Sequence, residues 1–436
     1  MQLKRIDTIH AQGHPLFVRL RPLLLPVLAA FAWMTALSPA LMAAVHYHSG
    51  VGDASTAVPL DGNLMFVGDD ETQFLRLYRR YQDGGPVWQQ DFAANLGLTD
   101  RDGSGVVREV DIEASVRVGN RVYWLGSHSN CGGCSPPGEL RPNRSRLFAT
   151  DIVGSGTNAT LHYVGRYNNL KRDLVAWDNT NGHRLGPKAL QLAASTAAGV
   201  EPEATNRAGF NIEGLCISPD GSRAYLGFRA PLTPMSGRSN AMIIPLLNLP
   251  ELVAGNPARG PARFGPPIEL ALGVRGIRSL DSNTNGVVIV AGETGSGGVF
   301  CIYTWTGRTN EPPRERFVST SLPRPEGVIL EDAFSDGSLF QLISEGSSYF
   351  TSEQVKLGAA IPFIESIRWA TPGQPQITVQ CRYGAAYDVE ASPDGVTWQT
   401  AGSFTGPFGG MATWLDPSPP YTTEFRFYRV SYPARP

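Results

Sequence analysis

The sequence has no excess of charge of either sign, because its 37 Lys and Arg residues and 39 Asp and Glu residues give a formal net charge of −2. Nucleic-acid-binding proteins usually present a basic face, so this balance argues against that class of partner. Charged residues make up only 17% of the 436 residues, whereas glycine (48) and proline (34) are abundant. This composition is typical of many short strands joined by tight turns, and it predicts few long helices.

Cysteine is also scarce, with five residues, two of which form the Cys-Gly-Gly-Cys motif at Cys131 and Cys134. Zinc is not expected here, because no second cysteine pair or close histidine pair would complete four ligands. A thioredoxin-like role would need a helix after the motif, and the Ser-Pro-Pro-Gly of residues 135–138 does not start one. The pair is therefore predicted to close a small disulfide ring in an oxidising compartment. The remaining cysteines are Cys216 and Cys301, predicted to be buried thiols, and Cys381 in the C-terminal region.

The N-terminus carries an uncharged apolar run from Leu23 to Leu37, with basic residues before it and the small-residue stretch 38–44 after it. This order predicts a secretory signal peptide over residues 1–44 and places the rest of the chain outside the cytoplasm, secreted, periplasmic or on the cell surface. The alternative is an uncleaved anchor, because the uncharged run continues to Val45 and about 20 residues can span a bilayer. Membrane contact is expected only through this segment.

A short phrase with a central glutamate recurs through the middle of the chain. It reads Asp-Ile-Glu-Ala at residues 111–114, Asn-Ile-Glu-Gly at 211–214 and Arg-Pro-Glu-Gly at 324–327. Each copy opens a β-rich stretch, crosses a turn that contains Gly or Asp, and returns through an apolar strand. Repetition of such hairpins predicts a β-propeller.

The spacing of the hairpins gives an estimate of the number of blades. Adjacent copies lie about fifty residues apart, but Glu113 and Glu213 are about a hundred residues apart, so a further copy is expected near Leu161–Ala176. The predicted fold is all-β, with a propeller of about six blades over residues 45–357, and five or seven blades remain open.

The composition changes at Pro362, after which strand patterns continue without the blade phrase. These patterns lie at residues 377–381, 387–391, 398–401 and 425–430, with a Pro-Asp-Gly turn at 393–395. They predict a small antiparallel β-sandwich of immunoglobulin or fibronectin type over residues 358–436. The stretch resembles the C-terminal accessory modules of secreted bacterial proteins, a resemblance that implies attachment or carbohydrate contact.

In a propeller blade, the start of the first strand and the end of the second lie on the same face of the channel. The starts carry Glu113, Glu213 and Glu326. The other candidate ligand-binding residues of this face and its rim are Asp70, Glu71, His128, Arg141, Arg144, Arg229, Arg278 and Glu293.

Converging carboxylates repel one another unless a cation or arginines lie among them. Ca²⁺ accepts six to eight oxygen ligands, so Glu113, Glu213 and Glu326 are candidate ligands of a central calcium ion. The alternative is a structural ring, in which each glutamate accepts backbone N–H groups or pairs with arginines such as Arg278.

A second hypothesis concerns the rim around the cysteine loop. The loop is short enough to bring His128 near Arg141 and Arg144, and these side chains could hold a phosphate or carboxylate. Alternatively, the arginines are solvated strand ends and the histidine packs on Trp124. His128 is also the candidate catalytic residue, as a group that could move protons. No Gly-x-Ser-x-Gly motif indicates a serine nucleophile.

The same segments resemble a bacterial family catalogued as domain of unknown function 3616, over about residues 60–350. The resemblance rests on the motifs at residues 69–71, 111–114 with 123–128, 141–148, 211–214 with 227–231, and 324–327. It implies a propeller and no established reaction. A looser resemblance to esterase-like phytase and gluconolactonase-type propellers implies a carboxylate on a central divalent ion at Glu113, Glu213 and Glu326, although Ala114 replaces the glycine of their Glu-Gly phrase.

Two functions follow from these patterns. The first is a secreted or cell-surface ligand-binding or scaffold propeller, with a small molecule or a cell-surface glycan as ligand. The second is a Ca²⁺-dependent hydrolase of a phosphate ester or lactone, in which His128 or a carboxylate moves protons. The hydrolase hypothesis requires Glu113, Glu213 and Glu326 to converge around one ion.

Overall fold

The computed structural model describes residues 3–9, 17–23, 44–202, 206–254, 260–295, 298–331, 334–358, 360–371, 374–381, 384–393, 397–407, 411–417 and 427–431. The chain divides into two compact units, Ala43–Gly358 and a second formed by Met1–Met42 with Ala359–Pro436. The apolar run and small-residue stretch of the predicted signal peptide lie almost entirely outside the described residues. Within the described part of the chain, no helix is long and apolar enough to cross a membrane.

The strands are numbered along the chain. Strands β1 (Leu3–Ile9) and β2 (Phe17–Leu23) form an antiparallel pair near the N-terminus. Strand β3 (Val45–Ser49) is the first strand of the larger unit, and its partner comes from the far end of that unit.

Five four-stranded antiparallel sheets make up the described part of the larger unit, and we call them blades 1 to 5. Blade 1 contains β4 (Ala54–Pro59), β5 (Leu64–Asp69), β6 (Phe74–Arg79) and β7 (Trp88–Asp91). Blade 2 contains β8 (Ile112–Val118), β9 (Arg121–Gly126), β10 (Leu147–Val153) and β11 (Thr160–Tyr167). Blade 3 contains β12 (Asn211–Ile217), β13 (Ala224–Thr233), β14 (Asn240–Leu246) and β15 (Ile268–Leu270).

Blade 4 contains β16 (Gly276–Asn283), β17 (Gly286–Gly292), β18 (Cys301–Trp305) and β19 (Arg314–Arg316). Blade 5 contains β20 (Pro325–Leu330), β21 (Leu339–Ser344) and β22 (Tyr349–Lys356), with β3 as its outer strand. The innermost strands β4, β8, β12, β16 and β20 pack side by side in that order, and β20 returns to β4. The unit is therefore a closed β-propeller whose last blade is completed by the N-terminal strand.

Helices are short, as the composition predicts. They are α1 (Ala93–Leu96), α2 (Leu170–Asn179), α3 (Leu192–Ser195), α4 (Leu249–Val253) and two 3₁₀ turns at Pro142–Arg144 and Gly156–Asn158.

The described part of the chain has five blades, one fewer than the estimate of about six and one of the counts that the spacing left open. The segment Leu161–Ala176, interpreted as a missing copy, holds most of β11, the outer strand of blade 2, and the first two turns of α2. The sequence separation between Glu113 and Glu213 is about twice that of adjacent copies because a helical insertion with α2 and α3 follows blade 2 before β12 begins. Extra length between two copies therefore reflects an insertion and not an additional blade.

The cores lie between neighbouring blades because side chains alternate along each strand. In β17, Val287 and Ile289 pack towards blade 3, whereas Val288 and Val290 pack towards blade 5. Equivalent clusters join blades 1 and 2 through Phe66 and Trp124, and blades 5 and 1 through Phe350 and Tyr78. Each blade thus buries both faces, which explains why second strands such as β5, β9 and β17 are almost wholly apolar except at their ends.

The C-terminal residues form two three-stranded antiparallel sheets around a common core. One sheet contains β23 (Phe363–Thr371), β24 (Gln374–Gln380) and β27 (Met411–Leu415). The other contains β25 (Ala386–Ser392), β26 (Gln399–Thr405) and β28 (Phe427–Ser431). The core between them includes the fully buried Tyr387 and Tyr428. The all-β prediction with a propeller and a small sandwich is confirmed, whereas the predicted turn at 393–395 lies mostly outside the described residues.

Candidate functional site

A β-bulge occurs at the same place in every blade, close to the start of its inner strand. The register shift leaves one residue of the inner strand out of the pairing, and a bulge of this kind redirects a side chain. The residues at the five bulges are Ser55, Glu113, Glu213, Arg278 and Glu326. The recurring glutamate of the sequence phrase is therefore the bulge residue of its blade, and we call these five positions the bulge ring.

Arg278 joins two glutamates of the bulge ring. Its Nε lies 3.1 Å from Oε2 of Glu213, and its Nη2 contacts Oε1 of Glu326. Burial opposes the charge of Arg278, but the carboxylates of Glu213 and Glu326 outweigh burial and raise the pKa of the guanidinium above its usual value. Blades 3, 4 and 5 are thus linked by a buried ion-pair network.

Glu213 has further partners within its own blade. Arg229 donates from Nη1 to Oε1 of Glu213 at 2.9 Å, and Asn211 donates to the same oxygen at 2.7 Å. Arg229 also donates from Nε to the carbonyl of Thr294 at 3.0 Å, which ties blade 3 to blade 4. Arg229 and Arg278, which the sequence predicted as ligand-binding residues, therefore form ion pairs with the glutamates of the bulge ring.

Glu113 does not take part in this network. Only 8% of its surface is exposed, yet among the described residues its carboxylate makes no ion pair or hydrogen bond. Two carboxylates lie close to it, because oxygen atoms of Glu113, Asp70 and Asp111 all lie within 4.8 Å of one another. We call Asp70, Asp111 and Glu113 the acidic triad.

The acidic triad lies between blades 1 and 2. Asp70 follows the end of β5, Asp111 precedes β8, and Glu113 is the bulge residue of β8. At the equivalent bulge, blade 1 carries the short Ser55, so no long side chain from that blade competes for the space. Asp70 also belongs to a second group with Asp53 and Glu71, whose oxygens meet the same 4.8 Å limit.

The acidic triad is electrostatically unfavourable when all its members are ionised. Burial, followed by the charges of Asp111 and other neighbouring carboxylates, raises the pKa of Asp70 to about 9. Burial and then Glu213 and Asp111 raise the pKa of Glu113 well above its usual range. One oxygen of Asp70, Oδ1, is inaccessible and has no hydrogen-bond partner in the described part of the chain.

Within the part of the chain that the structure describes, Arg144 is the cation that forms an ion pair with the acidic triad. Arg144 places Nη1 2.9 Å from Oδ2 of Asp111 and Nη2 2.8 Å from Oε1 of Glu109. Burial raises the pKa of Asp111, and Arg144 acts in the opposite direction. Asp111 is held with a positive φ of 59°, a backbone conformation that aspartate tolerates better than most residues.

His128 lies at the end of β9 but is completely buried. Its Nδ1 lies 2.7 Å from the carbonyl oxygen of Gly126, and burial lowers the pKa of the imidazole to about 3. The side chain is therefore neutral at physiological pH, so it supplies no positive charge for an anion. The other two residues of the predicted anion site already have partners. Arg144 pairs with carboxylates, and Arg141 pairs with Glu139 and donates from Nη2 to Sγ of Cys134.

The cysteine loop is as predicted, because Cys131 and Cys134 form a disulfide while Cys216, Cys301 and Cys381 are buried and not in disulfides.

Beside this loop lies a cavity of about 430 Å³ between blades 1 and 2. Its lining includes the turn residues Glu71, Thr72 and Phe74, the segment 106–109, and Cys131 and Arg141. We call this cavity the rim cleft. Glu71 belongs both to its lining and to the second carboxylate group, so the rim cleft adjoins the acidic triad.

The structure places the predicted site residues in different settings. Asp70 lies close to Glu113 in one carboxylate group and to Glu71 in another, whereas Glu213 and Glu326 pair with arginines. Among the described residues, no group of potential metal ligands combines the three glutamates. Glu293 is exposed after the end of β17. Sequence analysis missed Asp53 and Asp111 as members of the carboxylate groups and the equivalence of Arg278 with the glutamates.

Comparisons with known proteins leave the family open. No protein-family model matches this chain, so the resemblance to domain of unknown function 3616 is not confirmed, and no curated protein matches it either. Among solved structures, the chain is similar to the glutaminyl cyclase of Myxococcus xanthus, with a TM-score of 0.35 and 11% identity over 73% of this chain and 96% of that one. It is also similar to the Cps50 (Swd1) β-propeller domain of Myceliophteria thermophila, with a TM-score of 0.24 and 9% identity over 67% of this chain and 64% of that one. A third similar structure is the extracellular domain of a hybrid two-component system of B. thetaiotaomicron, with a TM-score of 0.24 and 10% identity over 90% of this chain and 56% of that one.

Proposed function

We propose that this protein is an extracytoplasmic binding propeller that holds a small polyhydroxylated ligand, a saccharide or a glycan end, in the rim cleft. The observation that carries the proposal is the composition of the cleft. A cavity of about 430 Å³ is lined by the aromatic ring of Phe74, by carboxylates and by the guanidinium of Arg141. Small-molecule sites are concave, of this order of volume, and combine apolar surface with a few polar groups that fix orientation.

The chemistry of the lining favours hydroxyl groups over a compact charge. Carboxylates such as Glu71 accept hydrogen bonds and guanidinium groups such as Arg108 only donate, so a hydroxyl, which does both, can satisfy either kind of group. Phe74 contributes apolar surface to the lining that can contact the C–H groups of a sugar, and the guanidinium of Arg76 lies over its ring, 5.2 Å from the ring centroid. A free phosphate would meet Asp102 and Glu109 in the same lining, and this repulsion disfavours it.

Two features support a location outside the cytoplasm. The order of basic, apolar and small residues over 1–44 is that of a secretory signal, and the disulfide Cys131–Cys134 is a bond typical of oxidising compartments. We expect N-terminal sequencing of the exported protein to find cleavage near Ala43 or Ala44. Retention of the full N-terminus on membranes would support the anchor instead.

The hydrolase alternative has less support than binding. It relied on Glu113, Glu213 and Glu326 as shared ligands and on His128 as a proton carrier. Two of those glutamates have arginine partners, and the imidazole is buried and neutral.

The experiment is calorimetric titration of the purified mature chain with a panel of mono- and oligosaccharides, followed by the Phe74→Ala variant. We expect at least one saccharide to bind and Phe74→Ala to weaken it at least tenfold. The matched control is Phe317→Ala, which removes a 38% exposed phenylalanine that does not line the cleft. No binding across the panel, or equal binding by Phe74→Ala, would refute the proposal.

A further inference from the structure

We propose that the acidic triad of Asp70, Asp111 and Glu113 binds one Ca²⁺ ion at the mouth of the propeller channel, between blades 1 and 2. This inference goes beyond the proposed function, because it holds whatever ligand enters the rim cleft. It also differs from the predicted set of three glutamates, of which it retains only Glu113.

The first argument is the distance between the ligand atoms. Ca²⁺ binds carboxylate oxygens at about 2.3–2.6 Å, so two oxygens on the same ion lie at most about 5 Å apart. One oxygen from each member of the acidic triad already lies within 4.8 Å of the other two. The side chains therefore need no large movement to share an ion.

The second argument is the unpaired state of Glu113. A buried carboxylate is normally hydrogen-bonded or ion-paired, because leaving it without a partner is costly. Glu113 is 8% exposed and makes no ion pair or hydrogen bond with any residue the structure describes, although the equivalent Glu213 and Glu326 both pair with arginine. The inaccessible Oδ1 of Asp70 is unpaired in the same way. Both groups therefore lack a cationic partner that a bound ion would supply.

The third argument is the charge balance. The three carboxylates carry a charge of −3 when ionised, and Arg144, which Asp111 shares with Glu109, offsets only part of it, so a divalent cation would relieve the remaining repulsion. An all-oxygen ligand set suits a hard cation such as Ca²⁺ and does not suit zinc, which prefers nitrogen and sulfur. Asp53 and Glu71 lie next to Asp70 and can supply further oxygens or hold coordinated water.

The test is calorimetric titration of CaCl₂ into the chelator-treated mature chain, together with thermal unfolding with and without Ca²⁺. We expect one ion per chain and a higher unfolding temperature with the ion. The isosteric variants Glu113→Gln and Asp70→Asn should each weaken binding at least tenfold and abolish the thermal shift. The matched control is Glu345→Gln, which removes a carboxylate paired with Arg324 at the same end of the channel and should bind within twofold of the parent.

Several outcomes would overturn the inference. They are the absence of heat and of a thermal shift with the parent chain, or equal binding by Glu113→Gln and Asp70→Asn. Folding of each variant is checked by near-ultraviolet circular dichroism, and Asp70→Asn is expected to fold well because it relieves repulsion. Saccharide titrations with and without Ca²⁺ separate the two proposals: Ca²⁺ binding without any saccharide refutes the proposed function alone, and saccharide binding without any Ca²⁺ binding refutes this inference alone.

Discussion

Arg278 at the bulge of blade 4 lies 3.1 Å from the carboxylate of Glu213 at the bulge of blade 3. The same guanidinium contacts Glu326 of blade 5, and all three side chains are more than nine-tenths buried. One arginine therefore takes the place of a fourth glutamate and pairs with the carboxylates on both sides. The bulge ring holds three adjacent blades together through this residue.

Replacing Arg278 by Met should destabilise the propeller by about 3–5 kcal/mol, because it leaves the buried Glu326 without its arginine and removes one of the two arginines that pair with Glu213. Urea unfolding followed by tryptophan fluorescence measures the change. The control is Arg263→Met, which removes the exposed pair with Glu251 and should cost no more than about 1 kcal/mol. Equal costs for the two variants would show that the ring contributes no more than a surface ion pair.

The hairpins of the propeller could be predicted from the sequence because a polar phrase opens the inner strand of blades 2, 3 and 5, and an apolar strand follows it after a turn. The position of Glu113, Glu213 and Glu326 on one channel face follows from that pattern and the alternation of strands. The blade number could not be obtained from spacing, because α2 and α3 lengthen one connection without adding a sheet.

The composition of the site was harder to predict than its location. The sequence around Arg278 does not contain the glutamate phrase, so the shared β-bulge is what shows that Arg278 is equivalent to the three glutamates. Asp70 lies close to Glu113 because blade 1 packs beside blade 2 and has the short Ser55 at its bulge. Ser55 in the place of a glutamate was a usable signal, since a missing long side chain leaves room for a neighbour.

The acidic triad should make stability fall as pH rises in the absence of metal. The pKa of Asp70 is raised from 3.8 in the unfolded chain to about 9, so the folded protein retains a proton that the unfolded chain has lost. Stability is therefore highest below about pH 4 for this group and is lost as pH rises towards 9. Urea midpoints in chelator should show this trend, and Asp70→Asn should flatten it and be more stable than the parent at pH 8.

A variant of an exposed carboxylate, Glu251→Gln, serves as the control for this trend. It should follow the parent at every pH. If Asp70→Asn follows the parent as well, Asp70 does not carry the repulsion assigned to it.

His48 should give the opposite pH dependence. Its Nε2 lies 2.9 Å from Ser352 Oγ and its ring stacks on Phe350 at 4.5 Å, and burial lowers its pKa from 6.5 to about 4. The folded state thus favours the neutral ring, so stability is complete above pH 6.5 and is lost as pH falls towards 4, by about 3 kcal/mol at pH 4.

Unfolding free energies at pH 7 and pH 4 test this effect. His48→Gln should lose less stability than the parent over that interval, whereas the exposed His162→Gln should lose as much as the parent. An unchanged acid loss in His48→Gln would assign it to other groups.

Strand β3 closes the ring, because its residues pair with β22 and so join the start of the propeller unit to its last blade. A chain that begins at Gly50 would lack this strand and leave the long strand Tyr349–Lys356 as an unpaired edge. His48 would also leave its position against Phe350 in blade 5. We expect the shortened chain to unfold at a clearly lower temperature than a chain that begins at Ala44, and to aggregate more readily, because exposed edges pair with other chains.

Addition of a synthetic peptide of residues 44–50 should raise the unfolding temperature of the shortened chain. A peptide with the same composition in scrambled order should have no effect, because the pairing depends on which side chains face the blade core. If the shortened chain and the chain from Ala44 unfold at the same temperature, closure by β3 contributes nothing, and the ring is held by contacts between the inner strands alone.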